Sequence, residues 1–201
     1  MDKILVLIAT IILSKAASSQ SLEVMAGTKN IFTDVQWLKP INKKRSLSVF
    51  NRTRATVDYQ KKTNLFTGTY INYTIKKGIG ITALGRLSTN NAGGDVGIHY
   101  FRSSKNVLIF ALLSTEIGQE LNYSWFSIIR YRPKINYKWK VYTSLELYTL
   151  MNNTTHILSV QRVRLGLENK YMQMGIALNL TELNTLPNYN NNTGIFIRKD
   201  F

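Results

Sequence analysis

No cysteine occurs anywhere in the 201 residues, which excludes disulfides, thiolate metal sites and a lipid anchor on a leading cysteine. Histidine is nearly as scarce, and the two present, His99 and His156, supply no ligand set for a metal. Proline occurs three times, so no proline-rich linker divides the chain. Glycine-rich phosphate loops are missing, and Gly93-Gly94-Asp95 reads as a turn. Beyond the first few residues no apolar run approaches the roughly 20 residues of a membrane-spanning helix. Acidic residues are also few, 11 against 26 lysines and arginines, for a formal charge of +15. That surplus fits nucleic acid, an acidic surface or an anionic solute, and the placement of the charges decides among them.

The chain opens with Met1-Asp2-Lys3, is apolar from Ile4 to Leu13, then becomes small and polar through Ala16, Ala17, Ser18 and Ser19. This order predicts a signal peptide over 1–19, too short for a membrane anchor, followed by one domain over 20–201.

From about Ile31 the sequence falls into short alternating apolar and polar runs bounded by Asn, Gly, Lys or Ser, and no segment keeps a helical period. Ten strands are expected near 45–59, 64–76, 79–89, 93–104, 106–117, 122–133, 137–149, 156–168, 170–181 and 191–201. A hairpin near 22–27 and 31–41 raises the count to twelve. Most runs exceed the roughly five or six residues of a globular strand and approach the roughly 9 to 11 that cross a bilayer at a tilt. Tight connections such as Lys76-Lys77-Gly78 alternate with longer ones such as 181–192. With the last strand ending in the periplasm, tight turns fall inside and longer loops outside. The expected fold is therefore all-β: a closed, antiparallel, up-and-down transmembrane barrel of twelve strands, with ten as the alternative.

The faces of each run differ in kind. Trp139, Val141, Thr143, Leu145 and Leu147 oppose Lys140, Tyr142, Ser144, Glu146 and Tyr148. The same rule gathers Arg52, Arg54, Arg86, Arg130, Arg132, Arg162, Arg164 and Arg198 on the polar face, while lysines collect near the periplasmic turns. Arginines facing lipid cost roughly 2 to 4 kcal/mol each near the midplane, so these eight are expected to line the lumen. Their expected acidic partners are Asp34, Asp58, Glu146 and Asp200, too few to neutralise them all. A soluble lipocalin-type barrel would invert the faces, with arginines in water; strand length and aromatic residues near strand ends favour the membrane.

The closing segment Ile195-Phe196-Ile197-Arg198-Lys199-Asp200-Phe201 resembles the C-terminal signal of bacterial outer-membrane barrels, carried by Ile195, Ile197 and the terminal Phe201. Lys199 departs from that pattern, which has an apolar residue in its place. In size, strand count and basic lumen the chain is similar to small monomeric channels such as the nucleoside-specific and acidic-oligosaccharide-specific porins. Its Asn-, Lys- and Ile-rich character is similar to barrels of the Bacteroidota. The resemblance implies an outer-membrane location with lipid as a neighbour; no cofactor is expected, and the arginine-lined lumen is expected to form a narrow path that favours anionic or polar small solutes. A non-conducting structural or interaction barrel is the alternative.

Enzymatic outer-membrane barrels resemble one another in using His with Ser or Asp at the outer rim, which makes a lipid-modifying enzyme the third reading. His99 lies toward the periplasmic end and reads as a lumen residue. His156 has Ser159 three residues on, and that spacing along a regular strand puts the two on opposite faces. No catalytic residues are therefore assigned. Export and burial of the basic residues in a lumen argue against nucleic acid as a partner.

Overall fold

The computed structural model describes residues 19–60, 62–118, 121–183 and 188–201; the leader expected over 1–19 lies outside them apart from Ser19. The first four strands are β1 (Ser19–Gly27), β2 (Asn30–Pro40), β3 (Leu47–Asp58) and β4 (Thr63–Lys76). Next come β5 (Ile79–Ser88), β6 (Ala92–Ser103), β7 (Val107–Glu116) and β8 (Asn122–Tyr131). The last are β9 (Lys140–Asn152), β10 (His156–Glu168), β11 (Gln173–Leu183) and β12 (Asn188–Asp200). Each strand pairs antiparallel with its sequence neighbours, and β1 pairs with β12 to close a barrel of twelve.

Both described termini lie at one end of the barrel, where the amide of Phe201 donates to the Gln20 carbonyl at 2.8 Å. We call this the termini end and the opposite one the far end. Far-end connections run from 2 to 5 residues and termini-end ones from 2 to 8, so the expected alternation of long outer loops with tight inner turns does not hold. Strand ladders reach into stretches whose composition reads as loop. Asn190, Asn191 and Asn192 pair with Thr181, Leu180 and Asn179 in β11, because ladder partners outweigh the weak strand preference of asparagine. β9 is shifted three residues toward the C-terminus of its expected span. The amides of Lys138 and Trp139 both donate to Asn136 Oδ1 at 2.9 Å, an Asx turn that delays the strand. Between β4 and β5, Lys77 and Gly78 have φ of 52° and 87°, the paired positive values of a two-residue hairpin turn.

Alternation sorts the side chains. The outward face carries a belt that includes Leu22, Val24, Ile71, Ile81, Ile98, Leu113, Leu165, Ile176, Ile195 and Ile197, all exposed. Among the described strand residues, the charged side chains on this face are Lys39, Lys76, Arg102, Glu182 and Lys199, each the last or penultimate residue of its strand. Several outward polar groups away from the ends pair with one another. Asn51 Nδ2 donates to Thr69 Oγ1 at 2.8 Å, and the hydroxyls of Thr53 and Thr67 lie 3.0 Å apart. Such pairing satisfies polar atoms on an otherwise apolar face.

The inward face holds two apolar clusters. One contains Tyr70, Leu112, Phe126 and Ile128, with Phe110 packed against it. The other contains Met25, Phe32, Tyr142, Ala177 and Phe196. In the second, cross-strand register runs Tyr142, Gly166, Gly175, Phe196 across β9 to β12. The two glycines leave room for the flanking rings, whose centroids come within 5.7 Å. A Cβ on Gly175 would stand 2.1 Å from the Leu165 carbonyl oxygen and 2.5 Å from the Cα of Gly166.

Candidate functional site

Between the two clusters a row of charges crosses the interior. β3 and β9 are six places apart in the ring of twelve, hence on opposite walls. Arg54 Nη2 of β3 nevertheless reaches Glu146 Oε1 of β9 at 2.5 Å, and Arg52 Nη1 reaches Glu146 Oε2 at 2.6 Å. Arg162 on the neighbouring β10 adds a third guanidinium to Glu146 at 2.5 Å. Arg52 also pairs with Asp34 on β2, which in turn accepts from Gln36 Nε2 at 2.7 Å. A second link between opposite walls joins Arg130 Nη2 of β8 to Gln36 Oε1 of β2 at 3.1 Å. Arg52, Asp34 and Glu146 are each at most 5 % exposed, so little water reaches the crossing. The guanidiniums of Arg52, Arg54 and Arg162 lie within 6.0 Å of the ring centres of Phe126, Phe66 and Phe32 respectively, and through Phe126 and Phe32 the charges pack against both apolar clusters.

Nearer the termini end, Glu23 of β1 accepts from Arg164 Nε at 2.8 Å and lies 3.6 Å from Arg198 Nη1. Arg198 also donates to Ser21 Oγ at 2.6 Å and to Asp200 at 3.1 Å. Arg132 lies 3.7 Å from Glu168 and 3.8 Å from Asp200. At the far end Arg86 is held by Asp95 at 3.0 Å and by Glu116. Asp58 is not brought to the arginines: its carboxylate caps a turn by accepting the amide of Gln60 at 2.8 Å. Glu23, Asp95, Glu116 and Glu168 are partners that sequence reasoning missed, and with them the arginines no longer outnumber their acids as widely as expected. Glu23 shares a face with Ser21 and Met25, a signal available in the alternation. The other three sit at or near strand ends, where composition reads as turn.

A cavity of about 290 Å³ opens at the far end above the crossing, with Asn30, Thr56, Asn179, Asn192 and Asp58 in its wall and Arg162 at its floor. His99, toward the other end, is inside and buried. Its Nδ1 lies 2.8 Å from Thr82 Oγ1 and its Nε2 3.2 Å from Thr74 Oγ1, and its ring stacks on Phe110.

His156 and Ser159 differ from expectation. The β9–β10 register shifts between His156 and Leu158, inserting one extra residue and turning His156 to the face of Ser159. The pair that regular spacing separates is thus joined, with Nε2 and Oγ 2.7 Å apart. Thr149 Oγ1 of β9 lies 3.1 Å from the same serine oxygen.

No protein-family model matches the chain, and no curated protein matches its sequence. Among solved structures, the KdgM porin in complex with disordered oligogalacturonate superposes with a TM-score of 0.53 at 7 % identity, over 91 % of this chain and 99 % of that one. A second structure of the KdgM porin gives 0.52 at 7 % identity with the same coverage. LpxR from Salmonella typhimurium gives 0.48 at 8 % identity, over 90 % and 99 % of the two chains. The chain thus has the fold of a small outer-membrane porin along nearly its whole described length.

Proposed function

We propose that the chain is an integral outer-membrane barrel whose far end faces outward and receives small anionic or polar solutes, with onward passage stopped at rest by the ion pairs at its centre. The contact that carries this reading is Arg54 to Glu146 at 2.5 Å, which joins opposite walls below the arginine-floored cavity. The exposed apolar belt supports the membrane location, since hydrocarbon replaces water there without cost to the leucine and isoleucine rows. Arginine at the cavity floor suits carboxylate or phosphate because its planar donors and fixed charge match them. The porin of similar fold was solved with oligogalacturonate, an acidic sugar chain, and this agrees with an anionic solute for the present barrel.

The second reading is a non-conducting barrel, favoured by the two apolar clusters that fill the lumen on either side of the charges. Planar-bilayer recording on refolded protein separates the two. The closed-path reading expects near silence from the natural chain and anion-selective current steps from Glu146→Ala, which releases Arg54 and Arg162 from the crossing and leaves Arg52 with Asp34. Steady current from the natural chain would show that the crossing does not close the lumen. Silence from the folded variant would leave the non-conducting reading in its place.

A further inference from the structure

The outward face of β9, β10 and β11 carries a second set of chemical groups, apart from the lumen. Ser159 shares this face with Val163, Leu165 and Leu167, which belong to the exposed apolar belt. Its cross-strand neighbours are Thr149 on one side and Glu182 on the other. Glu182 is the acidic side chain on the outward face among the described strand residues. The bulge at the start of β10 adds His156, whose cross-strand partner is the exposed Met151. A serine hydroxyl 2.7 Å from an imidazole nitrogen is within the range for proton transfer from nucleophile to base. The same serine would gain nothing from this histidine in a regular strand, so the bulge is what creates the pair.

We infer that Ser159 and His156 form a nucleophile–base pair that hydrolyses the acyl ester of a membrane lipid. The inference rests on the outer-membrane reading for its substrate, while the pairing itself does not. Ser159 is the fourth residue of β10 from the far end. At ~3.3 Å per residue and a tilt of ~40°, it lies roughly 8 Å below the strand end. A bilayer of ~40 to 45 Å with a ~30 Å hydrocarbon core passes from headgroup to chain over roughly 5 to 8 Å on each side. Ester linkages sit in that zone, beside apolar residues that accept the chains.

In the first half-reaction Ser159 Oγ bonds to the ester carbonyl carbon as its proton passes to His156 Nε2. The tetrahedral intermediate collapses, the carbon–oxygen bond to the alcohol breaks, and the departing oxygen takes the proton from His156. Water then repeats the sequence on the acyl-serine, giving its proton to His156, and the fatty acid leaves as Ser159 recovers the proton. Thr149 Oγ1, 3.1 Å from the serine oxygen, is placed to donate to the oxyanion. The exposed amide of Gln161, two residues along the same face, is a second donor within reach.

The test uses the refolded full chain in detergent micelles and in phosphatidylethanolamine vesicles, with folding followed by heat-dependent gel migration. A fluorophosphonate reagent is expected to label Ser159 in micelles, located by mass spectrometry, and fatty acid is expected to appear from the vesicles. Ser159→Ala should lose both signals, and His156→Ala should slow both by about 100-fold to 10,000-fold while still migrating as a folded barrel. Folded protein that neither takes the label nor releases fatty acid overturns the proposal, as does release that survives Ser159→Ala. Labelling without release, from protein that floats with the vesicles, overturns the lipid substrate. Protein that takes the label yet fails to float overturns the membrane reading instead.

Discussion

Glu146 receives Arg54 from the opposite wall of the barrel at 2.5 Å while a neighbour on its own side, Arg162, approaches the same oxygen at the same distance. One carboxylate therefore balances several guanidiniums in a place with little water. Removing it leaves buried positive charge uncompensated, and breaking such a pair typically costs about 3 to 5 kcal/mol. Arg54→Ala leaves Glu146 with Arg52 and Arg162, so its loss should be smaller. Denaturant unfolding of vesicle-inserted protein is expected to rank Glu146→Ala well below Arg54→Ala in stability. The reverse order would mean that Glu146 is not the hub of the network.

Much of this architecture is legible in the chain because a strand has a period of two and a membrane penalises misplaced charge. The rows around Val141, Leu145 and Leu147 against Tyr142 and Glu146 separate cleanly, and twelve strands follow with ends displaced by a few residues. What alternation does not carry is distance around the ring. Nothing in the spacing of residues 54 and 146, or 36 and 130, says that they meet, since that depends on the closed circle bringing opposite walls together. A bulge is equally silent. His156 and Ser159 read as opposed until one inserted residue changes the face of the first. The asparagine-rich start of β12 reads as loop because its ladder partners lie in β11 rather than in its own composition.

The glycine pair between Tyr142 and Phe196 gives a second expectation. A side chain on Gly175 meets the backbone of β10, which cannot yield as a flexible side chain would. Gly175→Ala should destabilise the barrel by about 1 to 3 kcal/mol, within the usual range for overpacking, and should separate the two rings. A variant as stable as the natural chain would show that the strands can part at this point without penalty.

Charge on the outward face should be tolerated by position. Val163→Arg places a guanidinium near the middle of the apolar belt and is expected to cost about 2 to 4 kcal/mol in vesicles. Lys199→Arg, at a strand end, should cost about 0 to 1 kcal/mol. Equal effects at the two sites, measured by unfolding in the same vesicles, would argue that no hydrocarbon touches Val163.

The outward threonines offer a milder case. Thr67→Val leaves the Thr53 hydroxyl, now paired at 3.0 Å, with just its 3.5 Å contact to Asn51 Oδ1, and should cost about 1 kcal/mol. Adding Thr53→Val removes the poorly paired hydroxyl, so the double variant should recover most of that loss. A double-mutant cycle reads the coupling directly, and additive losses would mean that the two hydroxyls do not support one another.

Glu23 has a further consequence for how the ring comes to be sealed. It belongs to the first strand, yet the guanidiniums it serves belong to the tenth and the last. Until the opening strand docks against the closing one, Arg164 waits without this counter-ion and Arg198 has Asp200 of its own strand alone. Zipping the seam and discharging the electrostatic strain thus become a single event, which makes a barrel open between its first and last strands the costlier state.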